Sequence, residues 1–203
     1  LRYLRGTLSH KLHFSQSPVL ATLVGFSDAD HAGCPDTRRS HSGYICKIND
    51  TAVAWKSHRQ RCVALSSCES EYIAVCDCAK QVVWLRRLLT DLCHTQTHET
   101  PIYCDNQAAK SLTENPIHHD RTKHIDMQYH YTRDLVDNGF VVVRYIPAAE
   151  EQADILTKEY IGKIFRHLRD AVMGITPASL PAHVVYPSET IQVNMVRPSF
   201  GAD

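Results

Sequence analysis

No run of about 18 consecutive apolar residues, the length a helix needs to cross a bilayer, occurs in the chain. None of the eight cysteines pairs with another in the C-x-x-C spacing, and the thirteen histidines form no set with structural-zinc spacing. A Gly-rich phosphate loop and the G-x-S-x-G nucleophile turn are both missing. The opening "LRYLRGTLSHKLHF" has neither the apolar core nor the cleavage pattern of a signal peptide. Excess charge is lacking too, with 22 Lys and Arg against 22 Asp and Glu. These absences argue against a membrane partner, a zinc module, a disulfide framework and serine-type acyl transfer. They favour a reduced, intracellular protein in which cysteines such as those of "YIAVCDCA" and "PIYCD" act as small core residues. The first residue is not Met, which suggests a piece of a longer chain.

What is present reads as one α/β domain. Apolar residues make up 43% and charged residues 22% of the 203, enough for a single core. The pattern predicts a strand over 19–28, then 43–48 and 52–57 joined across the Asn49-Asp50 turn, then a helix over 67–92. Next come a short strand 101–104 stopping on Asp105, a helix broken at Pro116, a second helix ended by Gly139, and the strand 140–146. The run "PAAEEQADILTKEY" then reads as helix, continuing through "IFRHLRDAVMG". Three leading strands followed by alternating helices and strands give a five-stranded mixed sheet flanked by helices. Residues 175–203 hold four prolines without a sustained period and read as a tail.

Acids fall at telling places on this map. Asp28, in "GFSDAD", ends the first strand, and Asp105 ends the fourth. Asp154 falls at the first turn of the last helical stretch. Taken singly, each has a plain reading as a solvated strand end or a helix-start acid. The long helix discriminates between its own two. From Glu71 the offsets +4, +11 and +18 reach Val75, Val82 and Leu89, so Glu71 heads the apolar stripe. From Glu69 the +11 and +18 positions are Lys80 and Arg87, which places Glu69 on a polar surface. Were Asp28, Glu71, Asp105 and Asp154 to converge, each pair about 4 Å apart would repel by roughly 4 kcal/mol at an effective dielectric of 20. Bound cations or protonation would relieve that, and oxygen ligands suit Mg2+ or Mn2+ better than zinc. Paired ions of this kind serve phosphodiester hydrolysis.

The wording of the chain carries a further clue. "GFSDADHAGCPDTRRSHSGY", "ALSSCESEYIAVCDCAKQVVWLRRLL", "YCDNQAAKSL", "RTKHIDMQYHYTRD" and "EEQADILTK" resemble, in order, the signature segments of the ribonuclease H domain in copia-type LTR retrotransposon Pol polyproteins. The resemblance implies a ribonuclease H-like fold over 18–174, with residues 1–17 similar to the end of a preceding reverse-transcriptase region. It also implies that Asp28, Glu71, Asp105 and Asp154 are the catalytic and metal-binding carboxylates, holding two ions of Mg2+ or Mn2+. The implied activity is endonucleolytic cleavage of the RNA strand of an RNA/DNA hybrid, beside the reverse transcriptase of the same polyprotein, in the cytoplasm within a virus-like particle or in the nucleus.

Candidate contacts to the hybrid follow from that reading, since backbone contacts position a duplex without reading its sequence. Asn106 and Gln107 adjoin Asp105, although capping the next helix explains them equally well. Ser27 and Ser42 are further candidates. Arg39, Lys56, Arg59, Arg61, Arg121, Lys123 and His124 could meet phosphates, or be solvated. Two departures stand out. His31 follows "DAD" where this family usually has Trp, and "PAAEEQ" lacks the His that many cellular ribonucleases H place before the last carboxylate. The alternative function is a catalytically silent or domesticated binding module of the same fold.

Overall fold

Leu23–Ala29 is buried along its whole length, so this strand (β1) must sit at the centre of a covered sheet. The computed structural model, which describes residues 1–14, 21–114 and 126–175, shows how. β1 pairs antiparallel with His41–Ile48 (β2), which pairs antiparallel with Thr51–Arg59 (β3). On its other side β1 runs parallel to Thr100–Cys104 (β4), and β4 parallel to Val141–Tyr145 (β5). The order β3-β2-β1-β4-β5 is the expected five-stranded mixed sheet. The β2–β3 turn is Asn49-Asp50, with Asn49 at φ 55°, the left-handed conformation that Asn tolerates in tight hairpins.

A short helix, Arg2–Gly6 (α1), has no buried residue. The long helix Ser67–Asp91 (α2) covers one face of the sheet, with Val75, Cys78, Ala79, Val82, Leu85 and Leu89 packed on Leu23, Cys46, Ile102 and Val143. Burying each large side chain here is worth roughly 1.5–3 kcal/mol. Gly25 permits the close approach, because a Cβ there would lie 2.7 Å from Cys78 Sγ. Arg86 then ties down the return to β4, donating to the carbonyls of Gln96 and His98 and to the Thr100 hydroxyl. Gln107–Glu114 (α3) and Asp126–Asp137 (α4) pack beside α2, where Tyr72 and Tyr129 stack.

On the opposite face Val24, Phe26, Ile45, Tyr103 and Ile146 form a second cluster with Ala153. The stretch expected to be one helix differs in kind. It forms two 3-10 turns, Ala148–Glu150 and Gln152–Leu156, and a separate helix, Gly162–Val172 (α5). Glu151 stands between the turns in an extended conformation, its carboxylate accepting from the Ala153 N–H at 2.9 Å. Ile161 is extended as well, and Gly162 has φ +68°. The buried Lys47 holds both pieces, donating to Gln152 Oε1 at 3.1 Å and to the Ala171 carbonyl, in the last turn of α5, at 3.0 Å. All eight cysteines are free thiols. No helix among the described residues is long and apolar enough to cross a membrane.

Candidate metal centre

Parallel pairing of β1 with β4 sets their C-terminal ends side by side. Phe26 faces Tyr103 in the register, so Asp28 and Asp105, each two residues further on, leave the sheet at one level. The first turns of α2 add Glu71, whose carboxylate accepts a hydrogen bond from the Ala29 backbone. One carboxylate oxygen from each of Asp28, Glu71 and Asp105 lies within 4.8 Å of the others. Asp28 is wholly buried, Glu71 is buried, and Asp105 is partly exposed.

Asp154, 2% exposed, arrives from the second 3-10 turn rather than from a helix. It joins the group through a side chain that sequence reasoning missed. Lys158 Nζ lies 2.7 Å from Asp154 Oδ1, 3.2 Å from Asp28 Oδ1 and 4.0 Å from Asp105 Oδ2. Two neighbours complete the arrangement. The Thr157 hydroxyl donates to Asp28 Oδ2, and the Tyr160 hydroxyl donates to Asp154 Oδ2 at 2.6 Å.

Electrostatics follow from this crowding. Burial, then the charges of Asp28 and Asp105, push the Glu71 carboxyl up to about 9. Burial and the charge of Asp154 raise Asp28 to about 6, against the Thr157 hydroxyl and the Lys158 ammonium. Asp105 is raised mainly by burial, partly offset by Lys158. Burial works against the charge of Lys158, but its hydrogen bond to Asp154 and the charges of Asp28 and Asp154 outweigh it and raise its pKa. Glu71 Oε2 is buried with no hydrogen-bond partner. An orphaned carboxylate oxygen among oxygen donors fits a hard divalent cation, and the donor set contains no nitrogen or sulfur. Glu151, fully buried and raised by desolvation, instead serves the turn that carries Asp154.

The structure scatters the other candidates. Ser27 and Ser42 are wholly buried, the first donating to the Tyr103 carbonyl and the second accepting from Gln60, so neither hydroxyl reaches the surface. Asn106 caps α3, its side chain accepting from the Ala109 N–H at 2.9 Å. Gln107 is exposed beside Asp105. Lys56, Arg59 and Arg61 are exposed and Arg39 is half-buried. Arg121, Lys123 and His124 lie outside the described residues. His31 is exposed.

Glu69 corrects a sequence expectation, being 4% exposed rather than on the surface. Its carboxylate accepts from the Leu65 N–H at 2.8 Å while Ser66 Oγ accepts from the Glu69 N–H at 3.2 Å. The signal was legible, since Ser66-x-x-Glu69 is the spacing of a capping box. For Lys158 the signal was fainter, a lysine four residues after Asp154.

No protein-family model matches the chain. Among curated proteins it is 45% identical over 158 residues to the retrovirus-related Pol polyprotein from transposon TNT 1-94 of Nicotiana tabacum, covering 78% of this chain. It is 39% identical over 158 residues to the corresponding polyprotein from transposon RE2 of Arabidopsis thaliana, again 78% of this chain. The chain spans only 12% and 11% of the length of these relatives. Among solved structures, LC11-RNase H1, isolated from compost by a metagenomic approach, has a TM-score of 0.51 at 12% identity. That match covers 68% of this chain and 93% of the other.

Proposed function

Since the chain is a homologue of a segment of the retrovirus-related Pol polyproteins of plant transposons and has a ribonuclease H fold, we propose that it hydrolyses the RNA strand of RNA/DNA hybrids. The observation that carries this reading is the convergence of Asp28, Glu71 and Asp105 at the ends of two parallel strands, with Asp154 tied to them. These four residues would hold two divalent ions, magnesium or manganese. Such ions supply a nucleophilic hydroxide at neutral pH and neutralise charge on the leaving oxygen.

The chain's own groups do the holding. Thr157 fixes one oxygen of Asp28, and Tyr160 fixes one oxygen of Asp154, so both carboxylates present chosen lone pairs. The exposed Gln107 beside Asp105 would meet the sugar edge, where 2′-hydroxyls distinguish RNA from DNA. Lys56, Arg59 and Arg61, together with Arg39, would steady the phosphates, as would Arg121, Lys123 and His124. In its setting the domain would act with the reverse transcriptase of the same polyprotein, inside a cytoplasmic particle or the nucleus.

The test is cleavage of a strand-labelled RNA/DNA hybrid with magnesium, beside an Asp105→Asn variant and a DNA duplex. Cutting confined to the RNA strand and lost in Asp105→Asn is the expected result. Retained hybrid binding without cutting would make the domain a silent binding module.

A further inference from the structure

Among the described residues, Lys158 is the one cation seated among the four site carboxylates, and no step of the proposed chemistry needs it there. Its ammonium bridges Asp28 and Asp154 at 3.2 and 2.7 Å and reaches toward Asp105. A metal ion held by these acids would compete with the ammonium for carboxylate oxygens. Three features separate Lys158 from an ordinary structural ion pair. The carboxylates it bridges are buried, 0% and 2% exposed, whereas its own side chain is 37% exposed. It lies beyond the end of the 3-10 turn, on a chain segment that is neither helix nor strand. Its long unbranched stem can swing to water while the acids stay in place.

Charge counting gives the direction. Four ionised carboxylates are matched by two divalent cations, which leaves the ammonium without counter-charge and repelled by both ions. Without metal the same four acids have no other cation among the described residues within 4 Å. Building on the proposed metal site, we infer that Lys158 is a displaceable internal counter-cation. It holds the acids together in the metal-free protein, and must leave its seat for metal to bind. It thus lowers metal affinity and prevents the empty site from springing apart.

Isothermal calorimetry of Mn2+ binding to the 203-residue chain, with melting of each protein in chelator, tests the inference on wild type, Lys158→Gln and Lys158→Arg. Lys158→Gln should bind Mn2+ about tenfold more tightly, about 1.4 kcal/mol, and melt at a lower temperature in chelator. Lys158→Arg should bind several-fold more weakly than wild type, because a bidentate guanidinium releases carboxylates less readily. A purely structural lysine would not move affinity in opposite directions in the two variants. Equal or weaker binding by Lys158→Gln overturns the inference while leaving the metal site intact. Should Lys158→Gln fail to fold without metal, affinity in Lys158→Arg equal to or above that of wild type overturns it. Absence of Mn2+ binding in every protein, wild type included, overturns the inference and the metal site together.

Discussion

Gly43 stands directly opposite Asp28 across the β1–β2 ladder, and the space above it is filled by the 3-10 turn that carries Asp154. A Cβ at position 43 would lie 2.8 Å from Leu156 Cβ, 2.9 Å from Thr157 Cγ2 and 3.2 Å from the Ala153 carbonyl. Two neighbours of Asp154 and one of the groups that hold Asp28 would therefore be pushed away together. Gly43→Ala should lower stability by about 1–3 kcal/mol, the usual range for overpacking. It should also shrink the rise in melting temperature that Mn2+ produces. Gly25→Ala, equally tight against Cys78 on the other face, should lower stability without that second effect. Identical metal responses in the two variants would separate Gly43 from the site.

Glu71 and Asp28 give the metal-free protein a pH signature. Both carboxyls titrate higher in the fold, at about 9 and about 6, than in an unfolded chain near 4. The folded state keeps protons that the unfolded state has released, so their contribution is whole below about pH 4 and is lost as pH rises through 6 and then 9. In chelator, stability should fall with rising pH across that window. Glu71→Gln, which resembles the protonated acid, should remove the part of the slope that runs up to about pH 9 and leave the variant more stable than wild type at pH 7. Chemical denaturation at several pH values would show this. A slope unchanged in Glu71→Gln would mean that Glu71 is not the group responsible.

Tyr160→Phe removes only the hydroxyl that holds Asp154 Oδ2. Orienting partners of metal ligands usually carry about 10-fold or more in affinity. Mn2+ binding should weaken by about that factor in calorimetry, with the fold nearly unaffected because the tyrosine is only half-buried. Unchanged affinity would leave the Tyr160 hydroxyl without a part in the site.

Lys47 makes a separate claim on pH. It is wholly buried, without a carboxylate among its hydrogen-bond partners, and burial lowers its pKa to about 8. Between about 8 and the unfolded value near 10.5 the unfolded chain binds more protons, so this lysine adds stability as pH rises. Lys47→Met should lack that increment. Relative to the variant, wild type should gain on the order of 3 kcal/mol at most across the window. Parallel stability profiles for the two proteins between pH 8 and 10.5 would show that Lys47 is charged throughout.

The five strands were legible because each carries a short apolar run near turn residues, with Asn49-Asp50 naming its own hairpin. Three of the four acids were legible because strand ends and an apolar stripe fix where a side chain goes. The turn that carries Asp154 was not. "PAAEEQADILTKEY" is rich in good helix formers, and only tertiary contacts, with Glu151 bonded to the Ala153 N–H and Gln152 held by Lys47, override that preference. Ser27 and Ser42 misled for a related reason. In a strand buried on both faces no alternation marks a hydroxyl as internal, and their partners are distant in sequence. Nothing local distinguishes Lys158 from a solvated lysine, since its role depends on acids up to 130 residues away.

The crowding of carboxylates at the ends of β1 and β4 also bears on how such a sequence decays. Burial raises Glu71, Asp28 and Asp105 alike, so ionising them in the empty site opposes folding. Exchange of any of the three for its amide would be thermodynamically downhill for the empty fold. Mutational drift at these positions would therefore meet no resistance from stability, and a copy that had lost its chemistry could remain a well-folded domain.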